Sequence, residues 1–289
     1  MLVRAYAKIN LTLAVSPPEP PTAPKAGWHR IASWFHAIDV WDEVQIVRVD
    51  GPARVNVTFD ASVPGAAVDW PMEKDLGYRA VKALEARMGR ELPVHVQVRK
   101  RIPAGGGLGG GSSNAAAVLR GVNQLLGLGV PHADLVSIGR TLGSDVEFFL
   151  DEVALDEPPR PAFVQGFGDL VERVARLRDE MTLLLTGCVC PTPHVYAKFD
   201  QLKSTIFAEG PARRAMEESI AEGRVKKELL FNQLTSAACE VNPALNKAMH
   251  ASARRCGPVL LSGSGGTAFT LNTPTEPIPG ITAVRTRLV

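Results

Sequence analysis

The first stretch of the chain alternates between apolar and polar side chains. The odd positions from 3 to 15 are all apolar, whereas Arg4, Lys8 and Asn10 lie among the even positions. A period of two residues predicts a β-strand with one face against the core and the other toward solvent. Lys8 and Asn10 would then lie side by side on the polar face, about 7 Å apart along the strand. From this segment alone, a solvated strand face is the simpler interpretation.

Further apolar patterns predict the remaining elements, with alternation indicating strands and a spacing of three to four residues indicating helices. Strands are expected at 44–49, 55–59, 94–98 and 182–185, and helices at 74–88, 115–126 and 134–142. The proline-rich segment 16–27 predicts a loop rather than a strand, and segment 151–161 an exposed connection. Strands followed by clustered helices favour an α+β protein, most simply with two domains at 1–155 and 156–289.

Composition and charge are those of an ordinary globular protein, with 45% hydrophobic residues, 21% charged residues and a formal net charge of +2. So small a charge favours neither a nucleic-acid nor a membrane partner, and no apolar stretch approaches the ~20 residues of a membrane-spanning helix. Four cysteines in 289 residues indicate reduced thiols in a cytoplasm rather than a disulfide framework. A zinc site at Cys188, Cys190 and His194 is disfavoured because its spacing matches no common zinc module.

A glycine-rich segment, 103–113, separates a predicted strand from a predicted helix. Glycine permits positive φ and close approach of the backbone to a ligand. The N–H groups and positive dipole of the following helix favour an anion, most often phosphate. A flexible linker is less favoured because regular structure adjoins both ends. The predicted phosphate loop consists of Pro103, Ala104, Gly105, Gly106, Gly107, Leu108, Gly109, Gly110, Gly111, Ser112 and Ser113.

Three common classes of phosphate loop are disfavoured. A Walker loop has a lysine directly after its last glycine, but here Gly111 is followed by Ser112. A dinucleotide-binding fold has an acidic residue about 20 positions after its glycine motif, and no acidic residue occurs between Gly105 and Asp134. The His-Arg-Asp and Asp-Phe-Gly motifs of protein kinases do not occur either. The loop is therefore expected to belong to another family of phosphate-binding proteins.

The glycine segment resembles the signature of the GHMP kinase family (galactose, homoserine, mevalonate and phosphomevalonate kinases), which is Pro-x-x-x-Gly-Leu-Gly-x-Ser-Ser. Other motifs of the family follow in order along nearly the whole chain. The matching segments are 7–11, 27–29, 103–116, 142–146, 191–193 and 261–267. The resemblance implies a two-lobed α+β fold with the active site in the cleft between the lobes. It also implies a kinase that uses ATP and Mg²⁺.

The resemblance implies catalytic roles for two residues. Asp145 is expected to be the general base on the acceptor hydroxyl, and Lys8 to pair with it and stabilise charge in the transition state. Ser112 and Ser113 are candidates for contacting phosphate or Mg²⁺, and one of them, with Ser113 favoured, is expected to cap the helix as well. The metal would be held mostly by ATP and water. Taken singly, the serines could instead be helix N-caps, and Asp145 and Lys8 a turn aspartate and a surface lysine.

Within the family, the chain resembles the branch that phosphorylates the 2-hydroxyl of a cytidine-diphosphate-linked methylerythritol. That resemblance implies that Trp28 and Tyr196 stack on the cytosine and that His29 hydrogen-bonds its edge. Asn10 would contact the polyol or the diphosphate, and Thr192 belongs to the same substrate group. The expected partner is this small molecule, bound by a monomer or homodimer.

The chain departs from the family pattern at several places. Glu147 adds a negative charge beside Asp145, which would raise the pKa of that residue if it pointed inward. Segment 231–234 replaces an expected acidic pattern, and segment 16–26 is unusually long. Segment 262–267 is expected to close the site near the diphosphate, with a plain hairpin turn as the alternative.

Two other functions stay open on the sequence. Another GHMP kinase, acting on homoserine or mevalonate, would have no need of aromatic groups for a nucleobase. A non-catalytic sensor of the same fold would bind ATP without consuming it, so ATP consumption separates the sensor from the kinase.

Overall fold

The computed structural model describes residues 1–61, 63, 68, 70–203 and 206–289. The strands are β1 (Leu2–Pro18), β2 (His29–Arg48), β3 (Arg54–Phe59), β4 (Val94–Lys100), β5 (Ala162–Gly166), β6 (Leu170–Arg173), β7 (Glu180–Leu185), β8 (Phe231–Asn232), β9 (Leu260–Leu261), β10 (Thr267–Thr270) and β11 (Thr282–Arg287). The helices are α1 (Leu76–Met88), α2 (Gly110–Leu126), α3 (His132–Leu142), α4 (Val146–Phe149), α5 (Thr192–Gln201), α6 (Glu209–Glu222), α7 (Thr235–Val241) and α8 (Pro243–Cys256). Within these described residues, no helix is long and apolar enough to cross a membrane.

The chain forms two compact units, and both are discontinuous in sequence. The first unit comprises residues 1–7, 40–104 and 109–159, and the second comprises 8–39, 105–108 and 160–289. The long strands β1 and β2 contribute residues to both units. A domain boundary at 155 and 156 stays a prediction.

The first unit packs helices against a sheet. In that sheet β4 pairs antiparallel with the end of β2 and parallel with β3. Helices α1, α2, α3 and α4 pack against one another. Gly121 on α2 lies so close to β2 that an added Cβ would come within 2.4 Å of the Ile46 side chain. A side chain at this position would have to displace the end of the Ile46 side chain, so glycine favours the close packing of α2 on β2.

The second unit contains two sheet regions. The start of β2 pairs antiparallel with β5, which forms a hairpin with β6, and β1 pairs in parallel with β8. A separate sheet has the order β11-β7-β10-β9. Its core includes Leu184, Phe199, Leu245 and Leu261, which come from strands β7 and β9 and helices α5 and α8. Side chains that are distant in sequence therefore build this core.

The structure confirms most predicted elements, but several of them begin or end at other residues than predicted. The three predicted helices correspond to α1, α2 and α3, although α2 begins five residues earlier than expected, within the glycine-rich segment. The strand predicted at 44–49 is the end of the 20-residue β2. The loop predicted at 16–27 was partly wrong, because Pro17 and Pro18 belong to β1. They stand at its end, where a missing N–H is tolerated.

The prediction of a half-buried first strand was wrong. Residues 5–16 of β1 are buried on both faces, including Lys8, Asn10 and Thr12. β1 is an inner strand between β2 and β8, and other parts of the chain cover both of its faces. Polar side chains at buried positions must find partners inside the protein. Thr12 illustrates this, because its hydroxyl oxygen accepts a hydrogen bond from the Trp34 N–H at 3.1 Å.

His36 on β2 is fully buried and held in its neutral form. Its Nδ1–H donates to the Ala37 carbonyl oxygen at 2.9 Å, and its Nε2 accepts from the Leu177 N–H at 3.2 Å. Burial lowers the pKa of His36 from 6.5 to about 4. The hydrogen bond to Ala37 opposes this shift, and the nearby charge of Arg176 adds to it.

We expect the His36 pKa to make stability depend on pH. The folded pKa lies below the unfolded pKa, so the stabilisation is complete above pH 6.5 and is lost as the pH falls toward about 4. The largest slope from this group is about 1.4 kcal/mol per pH unit. Urea unfolding between pH 7 and 5 should show a smaller loss of unfolding free energy in His36→Gln than in the wild type. Equal losses in the two proteins would contradict this assignment.

Candidate active site

The glycine loop runs from the end of β4 into α2. Gly105, Gly107 and Gly109 have φ values of 67°, 76° and 70°, a backbone region that favours glycine. Gly109 is the N-cap of α2, without a side-chain capping bond, so the expectation that Ser112 or Ser113 caps the helix was wrong. The first N–H groups of α2 are the kind of donors that bind phosphate. Ser113 is buried and Ser112 is half-buried in the first turn of this helix.

A buried carboxylate, Asp42 on β2, ties down both ends of this loop. Its Oδ1 accepts hydrogen bonds from the Arg101 and Ile102 N–H groups at 2.6 and 2.8 Å, just after β4. Its Oδ2 accepts from Lys100 Nζ at 2.6 Å and from Asn114 Nδ2 at 2.9 Å. Lys100 Nζ also donates to Asn114 Oδ1 at 2.9 Å, which closes the network. The loop therefore leaves β4 and enters α2 from fixed positions.

The roles of Asp42 and Lys100 were not predicted from the sequence. One signal was present: Lys100 continues the inward-facing series Val94, Val96 and Val98 of β4, so its ammonium falls at an apolar position. A charged side chain at an inward-facing strand position indicates a buried partner of opposite charge. The carboxylate that provides it comes from another strand, 58 residues earlier in the sequence.

In the second unit, the glycine loop touches the turn between β9 and β10, backbone against backbone. A Cβ on Gly107 would lie 2.0 Å from the Ser262 carbonyl oxygen, and a Cβ on Gly265 would lie 2.2 Å from the Gly107 nitrogen. Ser262 Oγ donates to the Gly107 carbonyl oxygen at 3.1 Å, and the Thr267 N–H donates to the Gly106 carbonyl oxygen at 3.2 Å. Segment 262–267 is thus a turn that supports the glycine loop.

Lys8 and Asn10 are fixed to the same loop in the second unit. The Lys8 N–H donates to the Leu108 carbonyl oxygen at 2.9 Å. Lys8 Nζ donates to Asn10 Oδ1 at 2.7 Å, and Asn10 Nδ2 donates to Ser33 Oγ at 2.9 Å. Nζ also lies 4.6 Å from the centre of the Phe35 ring. Lys8 is only 3% exposed, and a cation that is this buried is costly without a dedicated use.

Asp145 lies in the first unit at the N-cap of α4, and its side chain makes no capping bond there. The preceding turn approaches α2, because a Cβ on Gly143 would lie 3.8 Å from Ser112 Oγ. Arg140 binds both carboxylate oxygens of Glu147, at 2.6 and 2.8 Å. The charge of Glu147 is therefore directed at Arg140. The pairing of Lys8 with Asp145 stays a prediction, since the two residues belong to different units.

The predicted base-binding residues lie in the second unit. His29 and Tyr196 pack together with ring centres 5.0 Å apart. His29 Nδ1–H donates to the Ser16 carbonyl oxygen at 2.8 Å, and its Nε2 lies 3.4 Å from Asp200 Oδ1. Trp28 stands on the adjoining loop with 54% of its surface exposed. His29 therefore packs against Tyr196, and the Trp28 side chain is exposed just before the start of β2.

Thr192 meets the turn between β9 and β10. Its Oγ1 shares a hydrogen bond of 2.7 Å with Ser264 Oγ. From β8, Asn232 Nδ2 donates to the carbonyl oxygens of Leu261 and Gly263, both at 2.8 Å. Segment 231–234, which lacks the expected acidic pattern, therefore positions this turn through an amide. After Asp42 and Lys100, Asn232 is the third positioning residue that was not predicted from the sequence.

Metal binding has little support from protein side chains alone. Among the described residues, no group of three or more His, Cys, Asp or Glu side chains could hold a metal ion. The four cysteines are free thiols. The chemistry of the glycine loop fits a nucleotide phosphate, because its positive-φ glycines carry no side chains and the first N–H groups of α2 are donors of the kind that bind phosphate.

Known proteins are similar to this chain over most of its length. The family model of the GHMP kinases N terminal domain matches residues 75–151. A 4-diphosphocytidyl-2-C-methyl-D-erythritol kinase of Dehalococcoides mccartyi is 32% identical over 273 residues, covering 92% of this chain and 87% of the relative. A protein of the same name from Geobacter sp. is 34% identical over 272 residues, covering 92% and 88%.

Solved structures give the same picture of the fold. A crystal structure of 4-(cytidine 5'-diphospho)-2C-methyl-D-erythritol kinase is similar with a TM-score of 0.75 and 26% identity, covering 100% of this chain and 99% of that chain. The L. major mevalonate kinase in complex with R-mevalonate has a TM-score of 0.65 at 12% identity, covering 100% and 95%, and this likeness shows the fold alone.

We expect Lys100→Met to destabilise the protein strongly. The substitution leaves the Asp42 carboxylate buried without its cation, and removing one partner of a buried ion pair costs about 3 kcal/mol or more. Urea unfolding measures the loss. Arg87→Met is the matched control, since it breaks an exposed pair with Asp134 in the same unit and should cost less than about 1 kcal/mol. Similar losses in both variants would contradict the anchoring role of Asp42.

We expect Gly107→Ala to weaken ATP binding far more than Gly127→Ala. Both glycines have positive φ, so both substitutions strain the backbone, but only at Gly107 does the new Cβ meet the Ser262 backbone. Calorimetric titration with a non-hydrolysable ATP analogue should show at least about a tenfold loss for Gly107→Ala, equivalent to about 1.4 kcal/mol. Equal affinities for the two folded variants would show that the contact with the turn does not shape the loop.

Proposed function

The chain belongs to the 4-diphosphocytidyl-2-C-methyl-D-erythritol kinase family, a branch of the GHMP kinases, and we propose from this premise how its residues carry out the reaction. It is an ATP-dependent kinase that acts on a hydroxyl group. The acceptor is the 2-hydroxyl of 4-diphosphocytidyl-2-C-methyl-D-erythritol, in the biosynthesis of isoprenoid precursors. One observation of the site supports this function above all: the buried cation Lys8 is bonded through its backbone to Leu108 of the phosphate loop.

The loop 103–113 is proposed to hold the phosphates of ATP. Its donors are the backbone N–H groups between Gly105 and the first turn of α2, where the helix dipole favours negative charge. Mg²⁺ bound with the nucleotide would neutralise phosphate charge. In this chain the Ser113 hydroxyl is the proposed protein contact for the metal, with ATP and water as the other ligands.

Asp145 and Lys8 are proposed to assist the transfer itself. The Asp145 carboxylate accepts the proton of the acceptor hydroxyl as that oxygen forms its bond to the γ-phosphorus. The bond from the γ-phosphorus to the bridging oxygen breaks, and ADP leaves with the electron pair. The Lys8 ammonium stabilises the negative charge on the transferred group, and its bond to Asn10 keeps it in place.

The cytidine end of the acceptor is proposed to bind in the second unit. Trp28 and Tyr196 provide aromatic faces, and His29 provides a polar atom for the edge of the base. His29 Nδ1–H is already committed to the Ser16 carbonyl oxygen, so Nε2 is the atom assigned to the base. Thr192 and Asn10 are assigned to the diphosphate and polyol.

Several broader features are proposals of the same kind. We place the N-terminal ATP-binding domain at 1–155 and the C-terminal domain at 156–289. We expect a monomer or homodimer in the cytoplasm, with a small molecule rather than a nucleic acid or a membrane as its partner. Homoserine and mevalonate are disfavoured as acceptors because neither uses the aromatic faces of Trp28 and Tyr196.

The function is tested by ADP release in a coupled assay with ATP, Mg²⁺ and four acceptors: the cytidine-diphosphate-linked methylerythritol, mevalonate, homoserine and galactose. We expect turnover with the first alone. Asp145→Asn should lower kcat by about 100-fold or more, whereas Asp134→Asn, which changes an exposed aspartate of α3, should not. Turnover with another acceptor would refute the cytidine site. ATP binding without ADP release from any acceptor would favour the sensor, and full activity of folded Asp145→Asn would refute the proposed base.

A further inference from the structure

Trp28 is a large aromatic side chain that is held in place although half of it faces solvent. It is 54% exposed, and its backbone is fixed on both sides. The Trp28 N–H donates to the Lys25 carbonyl oxygen at 3.0 Å, and its own carbonyl oxygen accepts from the Glu19 N–H at 2.7 Å. Gly27 within this turn has a φ of 76° and donates to the Glu19 carbonyl oxygen at 3.0 Å. Lys25, Ala26, Gly27 and Trp28 therefore form a tight turn that needs glycine at its third position.

A second aromatic side chain, Phe167, reaches Trp28 from the turn between β5 and β6. The register of β2 with β5 pairs Ile31 with Gly166 and so brings this turn beside the start of β2. The Phe167 ring meets the Trp28 ring edge-on, with centres 6.1 Å apart and planes at 78°. The Phe167 N–H donates to Asp169 Oδ1 at 2.8 Å, which fixes the turn. Phe167 therefore places an aromatic ring from a hydrogen-bonded turn against the exposed indole.

The Lys25 ammonium lies close to both aromatic rings. Its Nζ lies 4.0 Å from the centre of the Phe167 ring and 5.5 Å from the centre of the Trp28 ring. Both distances are within the range of a cation–π interaction. Lys25 lies in the long proline-rich segment 16–26, and the family resemblance assigns no role to that segment. The turn from Lys25 to Trp28 is what carries the ammonium over both rings.

We propose that Lys25 and Phe167 are positioning residues that hold Trp28 as a preformed stacking surface for the cytosine of the acceptor. The inference rests on the proposed function and gives the proline-rich segment its role. An exposed indole on a loop would otherwise exchange between rotamers, and fixing one of them lowers the entropic cost of binding the base. The charge over the rings also leaves the base a defined face of Trp28 to stack on. Neither residue touches the reacting atoms, so both act on substrate binding rather than on the transfer step.

The test compares steady-state kinetics and cytidine 5'-diphosphate affinity in Lys25→Met, Lys25→Arg and Phe167→Leu. Lys25→Met should raise KM for the cytidylyl substrate about threefold, and Phe167→Leu about fivefold. Calorimetric titration should show the same loss of affinity for cytidine 5'-diphosphate. Values of kcat and of KM for ATP should stay unchanged, and Lys25→Arg should lose less substrate affinity than Lys25→Met because arginine keeps a cation over the rings. The matched control is Lys247→Met, which removes an exposed charge on α8.

The double variant adds a second criterion. Because both residues act on Trp28, their effects on KM should combine to less than the product of the single effects. An unchanged KM and cytidine 5'-diphosphate affinity in both single variants of an active enzyme would overturn the inference and leave the proposed function standing. A fall in kcat together with a rise in KM for ATP would also overturn it, by showing a general structural role. A wild type with neither turnover nor cytidine 5'-diphosphate binding would overturn the proposed function and this inference together.

Discussion

The contact that the site depends on most is backbone against backbone, between the glycine loop and the turn from β9 to β10. Gly107 and Gly265 approach the opposite chain so closely that any Cβ would overlap with main-chain atoms. Hydrogen bonds from Ser262 and Thr267 to the loop carbonyl oxygens further stabilise this conformation. A loop with so many glycines has a large conformational entropy to lose on folding. The turn stabilises one arrangement of this loop, which is proposed to bind phosphate.

Buried polar groups form the second constraint on the site. Asp42 and Lys100 place an ion pair in the first unit, and their hydrogen bonds fix where the glycine loop begins and where α2 continues. Lys8 and Asn10 place another cation inside the second unit. Burying a charge costs free energy unless its partners are arranged around it. The protein accepts this cost at the points where phosphate and acceptor are proposed to bind.

The residues proposed to bind the cytidine end of the acceptor differ from these buried groups, because their aromatic side chains are partly exposed. His29 and Tyr196 pack on each other, whereas Trp28 relies on a tight turn, on Phe167 and on the Lys25 ammonium. A flat base needs an aromatic face that is accessible and at the same time fixed. The proline-rich segment before β2, which looks like a plain loop in the sequence, supplies part of that fixation.

The sequence by itself predicted the first strand, three of the helices, several further strands and the glycine loop, and it identified the family. Strands and helices were predictable because their periods of two and 3.6 residues depend on neighbours along the chain, and the glycine loop because its chemistry is contiguous between Pro103 and Ser113. The tertiary structure alone decided that β1 is buried on both faces, that Asp42 serves the loop from 58 residues before Lys100, and that Phe167 meets Trp28. Each of these depends on which strands become neighbours in a sheet. Local sequence patterns do not encode that choice, since strand pairing joins segments that are far apart in the chain.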